Sequence, residues 1–297
     1  MDLSIIVLSY NTCEITLRCL RALINSLNNK INWEIIVIDN GSTDDSVQNI
    51  KNQMSHLRQG FGGQANFKII INNKNLGFAR ANNQGAKIAK GKYILFLNSD
   101  IIVNNIDFKD LVEYLDQHQD TAALTVKVKL DNGEIDQASN RGFPHLWRSF
   151  CYFSGLEKIF GRLLYLSKLF GGYHLLNKDF NKIHEIDSPS GAFFLVRKNI
   201  FKQVGGFDED FFMYGEDLDL AFRIKKQSYR IVYYPLQTVT HLKYQSGLLH
   251  NDKKIKQSIK SHFYQAMKIF YDKHYASKYS PVINNLIHLL INLKQSI

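Results

Sequence analysis

The chain has 297 residues, long enough to bury a full core, and is 45% hydrophobic against 22% charged, which excludes a disordered or fibrous protein. Lys and Arg outnumber Asp and Glu by 37 to 27, so the surface is cationic and suits phosphates, anionic lipid headgroups or nucleic acid. Three cysteines, Cys13, Cys19 and Cys151, form no CxxC pair, which argues against a disulfide framework or a zinc site and for a reducing compartment.

In chain order, residues 3–8 are a continuous apolar run that stops at Ser9, Tyr10 and Asn11, and a helical pattern through Leu17, Leu20 and Leu23 follows. The run begins after only Met1 and Asp2, leaving no charged leader region, and no stretch reaches the roughly 18 apolar residues that span a bilayer. A cytoplasmic location is expected. Residues 33–38 repeat the strand signal and end in the turn-forming cluster Asp39, Asn40, Gly41 and Ser42. The third strand is expected at 67–71, and a helix carrying Ala79, Ala81 and Ala86 leads to an uninterrupted apolar strand at 93–97. That strand, apolar on both faces, reads as buried in the middle of a parallel sheet. It stops at Asn98, Ser99 and Asp100, and ligands of open α/β sheets bind beyond the carboxyl ends of such strands. Asp100 is therefore the leading candidate metal ligand.

Alternating strands and helices mean βαβ units with right-handed crossovers, so residues 1–100 read as a nucleotide-binding half-domain. It lacks both GxxxxGKS/T and GxGxxG phosphate loops, and its one glycine cluster, at 58–64, is read as a flexible loop away from the strand carboxyl ends. Residues 101–245 are read as a second half, with a helix at 107–118 and a strand at 122–128. Within it, 143–186 is an aromatic and basic insertion containing Trp147, and 156–166 has the pattern of an amphipathic helix that packs on the core or meets lipid. A polar turn at Ser190 and Gly191 enters another buried strand. Glu216 and Asp217 then sit in the first turn of a helix, behind the aromatic wall Phe211, Phe212 and Tyr214, a setting that holds a base partly shielded from water. The last sheet strand is expected at 230–234, ending at Pro235, with His241 beyond it; residues 246–297 form a lysine-rich helical segment.

Taken in order, SIIVLSYN at 4–11, IVIDNGSTD at 36–44, NLGFARANN at 75–83, LNSD at 97–100, SGAFFLVR at 190–197, GFDE at 206–209 and GEDLDL at 215–220 resemble the family 2 glycosyltransferases, especially the rhamnosyltransferase-like bacterial branch. The resemblance implies the A-type glycosyltransferase fold, with a Rossmann-like, mostly parallel central sheet flanked by helices and a C-terminal helical appendage. It implies a nucleotide-diphosphate sugar donor, with Ser9, Tyr10, Asn11, Asp39, Asn40, Gly77, Arg80, Asn98 and Ser99 along the nucleotide. Mg²⁺ or Mn²⁺ would be held by Asp100 and His241, and Asn98 stands where many members carry the first acid of the metal motif. Asp217, with Glu216 as second choice, would take the proton from an acceptor hydroxyl in one inverting displacement, and Ser190, Gly191 and Trp147 would flank acceptor or donor sugar. The implied activity is transfer of a sugar, rhamnose being one option, to a glycan or polyprenyl-linked acceptor in cell-surface polysaccharide synthesis.

Three rival readings predict other sequence features. A sugar nucleotidyltransferase needs a glycine-rich, arginine-bearing loop after its first strand, and Ser9 to Thr12 offers none. A non-catalytic scaffold on the same fold has no use for Asp100, Glu216 and Asp217 together. Nucleic-acid binding is open to a cationic chain, but no module for it is present. The basic and aromatic segment at 143–173 and the lysines after 253 are instead expected to bring the protein to the inner face of the cytoplasmic membrane, in peripheral contact with anionic lipid.

Overall fold

The structure, a computed structural model, describes residues 1–27, 31–60, 66–163, 165–243 and 253–296. The first half runs β1 (Leu3–Ser9), α1 (Cys13–Ser26), β2 (Trp33–Asp39), α2 (Ser46–Gly60), β3 (Asn66–Ile71), α3 (Phe78–Ile88) and β4 (Tyr93–Asn98). These four strands are parallel, in the order β3-β2-β1-β4, as the βαβ alternation requires. Of the glycine cluster at 58–64, residues 58–60 close α2 and the rest lie outside the described residues.

The second half runs β5 (Ile101–Ile102), α4 (Phe108–Gln117), β6 (Thr121–Leu130), α5 (Leu146–Phe153), α6 (Leu156–Phe160), α7 (Ser167–Phe170), β7 (His184–Ile186), β8 (Phe193–Arg197), α8 (Lys198–Gln203), α9 (Glu216–Lys226), β9 (Arg230–His241), α10 (Lys253–His274) and α11 (Pro281–Ser296). Here the sheet is mixed. β8 is antiparallel to both β4 and β6, while β6 is parallel to β9. β4 thus has a parallel neighbour on one side and an antiparallel one on the other, with both faces buried as its apolar run demands.

Strand periodicity sorts the core into two layers. Leu3, Ile5 and Val7 of β1, with Tyr93, Leu95 and Leu97 of β4, face a cluster containing Leu17, Leu20 and Leu23 of α1 and Leu111 and Leu115 of α4. Ile6, Ile94 and Phe96 face the opposite cluster, which holds Ala79, Ala81 and Ala86 of α3 and Leu220 and Ile224 of α9. Ala266 and Phe270 of α10 enter that same second cluster, so the helices after residue 253 share the core of α9. The boundary read at residue 245 lies outside the described residues.

Two local expectations change. β9 does not stop at Pro235: it runs on to His241, with a register shift that pairs Val126 with Tyr234 but Lys127 with Thr238. Residues 235–237 are extra in the ladder, and proline, lacking an N–H, is tolerated at such a bulge. The amphipathic helix read at 156–166 is broken into short turns. Gly155 takes φ +81°, and a Cβ on Gly161 would lie 2.3 Å from the Glu157 carbonyl oxygen. Glu157 itself is buried and accepts the backbone N–H groups of Tyr173 and His174 at 3.1 and 3.0 Å, so this acid turns inward while Ile159 is left 64% exposed beside exposed Lys158. No described helix is long and apolar enough to cross a membrane.

Candidate active site

The carboxyl ends of β1, β2 and β4 form one edge of the sheet, and each expected residue there has a different use. Asp39 is buried, and its Oδ1 accepts the N–H groups of Gly41 and Ser42 at 3.2 and 3.0 Å. Its Oδ2 has no hydrogen-bond partner among the described residues. A buried carboxylate oxygen left unpaired in this way is costly unless a ligand completes it. Tyr10 is exposed beside it.

The other nucleotide candidates spend their side chains on scaffold. Ser9 Oγ shares hydrogen bonds with Thr16 and Thr12 at 2.9 and 3.4 Å. Asn11 ties two loops together, accepting the Thr43 N–H at 2.8 Å and donating its own N–H to Ser42 at 2.9 Å. Asn40 clamps the loop before α3, donating to Asn75 Oδ1 and the Gly77 carbonyl and accepting from Asn72 and the Leu76 N–H. Gly77 takes φ +84°, and a Cβ there would lie 2.5 Å from the Phe212 carbonyl oxygen, so glycine lets the aromatic wall seat against α3. Arg80 pairs with Glu209 at 2.9 Å in a half-exposed position.

Asp100 and His241 are brought together by pairing Ile101 of β5 with the end of β9, which the bulge at Pro235 makes long enough to reach. Both are buried, with His241 Nε2 3.3 Å from Asp100 Oδ1. His241 Nδ1 meets Asp136 at 2.8 Å, and Lys243 holds the other oxygen of Asp136 at 2.9 Å. Without a metal, burial opposes charge on His241, but the two carboxylates outweigh it and raise its pKa to about 9, so a cation bound at Nε2 would displace a proton from the ring. A cation fits this arrangement: a carboxylate and an imidazole nitrogen converge, and the second imidazole nitrogen is fixed by a carboxylate, as metal-bound histidines are. No group of three or more His, Cys, Asp and Glu suited to a metal occurs among the described residues, so further ligands would have to come from substrate phosphates, as is usual for Mg²⁺. Asn98 ends β4, its N–H donating to the Ala192 carbonyl at 3.1 Å, and buried Ser99 lies 3.4 Å from Thr12 Oγ1.

That hydrogen bond joins the sheet edge to the acids of α9, because Gly191, next to Ala192, donates its N–H to Asp217 Oδ2 at 2.9 Å. Gly215, at φ +79°, starts the helix and places Glu216 and Asp217 in its first turn. Asp217 Oδ2 also receives Arg141 Nη2 at 2.7 Å, while Oδ1 accepts the Leu218 N–H at 2.7 Å and no other hydrogen bond among the described residues. Glu216 is buried, and burial first, then the charge of Asp217, push its carboxyl up to about 8. Ser190 Oγ and Glu216 Oε2 are buried beside Asp217 with no hydrogen-bond partner among the described residues. Trp147 is placed elsewhere: it is 46% exposed, its Nε1 donates to the Leu169 carbonyl, and its ring packs on Phe150 and Phe170. Arg141 and Asp136 are the residues that sequence reading missed.

A half-parallel sheet whose carboxyl edge carries Asp39 and Asp100, facing a buried acid pair on a helix N-terminus, is the layout of an A-type glycosyltransferase fold. The comparisons place the chain more narrowly. The family described as Glycosyl transferase family 2 matches residues 4–205, and the chain belongs to it. Rhamnosyltransferase WbbL of Escherichia coli K12 is 27% identical over 194 residues, covering 63% of this chain and 69% of WbbL. The N-acetylglucosaminyl-diphospho-decaprenol L-rhamnosyltransferase of Mycobacterium tuberculosis is 52% identical over 54 residues, 18% of each chain. The mannosyltransferase PcManGT from Pyrobaculum calidifontis, solved with GDP-Man and Mn²⁺, superposes with a TM-score of 0.58 at 14% identity, over 92% of this chain and 63% of that one, a likeness of fold alone.

Proposed function

We propose that this protein transfers a sugar from a nucleotide-diphosphate sugar to a hydroxyl of a glycan or lipid-linked acceptor, inverting the anomeric centre. The observation that carries this reading is the short path from Asn98 through Ala192 and Gly191 to Asp217, which joins the carboxyl end of β4 to the buried acids of α9. Asp39 Oδ2 receives a hydrogen-bond donor of the nucleotide base. Asp100 and His241 would hold a divalent cation, which would supply charge stabilisation to the departing diphosphate. Asp217, oriented by Arg141 and the Gly191 N–H, has a lone pair on Oδ1 for the acceptor hydroxyl and takes its proton as the oxygen attacks. The names of WbbL and the mycobacterial enzyme support rhamnose as the sugar and a diphospho-lipid as the acceptor, and the PcManGT complex supports Mn²⁺ as one usable ion.

The test is release of nucleoside diphosphate from a panel of nucleotide sugars in the presence of Mn²⁺. Wild type is expected to turn over one donor class and Asp217→Asn to bind that donor without transferring. Absence of binding or turnover with every donor would overturn the reading.

A further inference from the structure

Glu216, Asp217 and Arg141 form the floor of a cavity of about 480 Å³ between α5, α10 and α11. Its walls are mainly apolar, with Phe153 from α5, Met267 and Phe270 from α10 and Ile291 from α11, and the rings of several tyrosines; Lys294 is the other charged residue that lines it. A bare glycan gains little from such walls, because each hydroxyl moved from water to an apolar surface loses a hydrogen bond. Phe150 and Leu290 also line the cavity, yet are 55% and 53% exposed, so they form its rim. Beyond Phe150 the apolar surface continues onto exposed Trp147, whose ring lies 5.7 Å away. Beyond Leu290 it continues along α11 to exposed Leu286 and Leu293, on the same helix face. The cavity therefore opens between two exposed apolar patches and leads inward to the carboxylate proposed as base.

We propose that this cavity holds the hydrocarbon chain of a lipid-linked acceptor, which enters from a membrane surface and presents its sugar hydroxyl to Asp217. The assignment rests on the glycosyltransferase reading above and names its acceptor class. A cavity of this size suits a ligand of drug-like dimensions, so it takes the part of the chain nearest the headgroup while the remainder stays in the bilayer. Lys294, lining the cavity, is the cation available to a phosphate on the acceptor.

The test uses the full-length protein and three probes below their micellar concentrations: farnesyl diphosphate, dodecyl phosphate and inorganic diphosphate, titrated calorimetrically. Farnesyl diphosphate is expected to bind about 100-fold more tightly than inorganic diphosphate, the gain from burying on the order of 100 Å² of apolar surface. Met267→Trp, which fills the cavity, is expected to weaken it at least ~10-fold, with UDP or GDP binding in Mn²⁺ unchanged. Tight binding of dodecyl phosphate assigns the cavity to hydrocarbon chains in general, and weak binding assigns it to prenyl chains; both uphold the proposal. If Met267→Trp does not fold, Leu290→Glu at the exposed rim serves instead. Farnesyl diphosphate binding no better than inorganic diphosphate, or equally well to wild type and the folded variant, overturns the proposal. Nucleotide binding that persists in that case shows that the cavity assignment has failed and not the glycosyltransferase reading.

Discussion

At the scale of residues, burial and the neighbouring Asp217 raise the carboxyl of Glu216, and the consequence for stability can be measured. Glu216 is held near 8 in the folded protein, well above the ordinary carboxylate range that applies to the unfolded chain. Between those values the folded state binds more protons than the unfolded one, so stability falls as pH rises through that window. Glu216→Gln cannot titrate. Its melting temperature is expected to exceed that of wild type by on the order of 5 °C at pH 8, with the gap closing toward pH 4. A gap that does not widen with pH would contradict the assignment. Asp217→Asn keeps size and loses basicity, so kcat is expected to fall roughly 10²- to 10⁴-fold with donor affinity retained.

Residues at strand ends and helix starts were legible because their signals are local. Asp39, Asp100, Glu216 and Asp217 each stand where an apolar run stops or a helix begins. Arg141 and Asp136 were not legible, since they reach Asp217 and His241 from 76 and 105 positions away and no local pattern marks them. Trp147 marks the limit of such signals: an aromatic and basic composition says that a segment is unusual without saying which way a ring points.

At the scale of elements, the segment 75–83 serves mainly to seat the wall at 211–214. Phe78 donates its N–H to the Phe212 carbonyl at 2.8 Å, and Asn83 donates to the Phe207 carbonyl at 2.8 Å. Gly77 sits at φ +84° and ψ 168°, a region almost reserved to glycine, so Gly77→Ala is expected to cost more than about 1–3 kcal/mol of backbone strain, because its Cβ also collides with the Phe212 carbonyl. Gly133 has the same φ of +84° with nothing within 4 Å, so Gly133→Ala reports a positive-φ alanine without a collision. Chemical denaturation should rank the two variants in that order, and equal midpoints would refute the packing role. β9 shows why element boundaries were misread: proline ends most strands, but here three extra residues absorb it and the ladder resumes.

At the scale of the whole molecule, the parallel half of the sheet followed from strand and helix alternation, whereas the antiparallel half did not, because β8 reaches β4 only after a long excursion. Net charge of +10 and the apolar patches on α5–α7 and α11 support peripheral contact with an anionic membrane. Co-sedimentation with anionic liposomes is expected at low ionic strength and should decline with salt, each engaged Lys or Arg contributing roughly 1 kcal/mol. A protein that stays in the supernatant would assign those patches to contacts between copies.

The central claim, that one sheet edge binds a nucleotide through Asp39 and a cation through Asp100 and His241, is tested most directly by calorimetric titration of the donor nucleoside diphosphate with and without Mn²⁺. Asp39→Ala is expected to weaken binding under both conditions. Asp100→Ala should match wild type without metal and show no enhancement when Mn²⁺ is added. Equal enhancement by Mn²⁺ in wild type and Asp100→Ala would contradict the account.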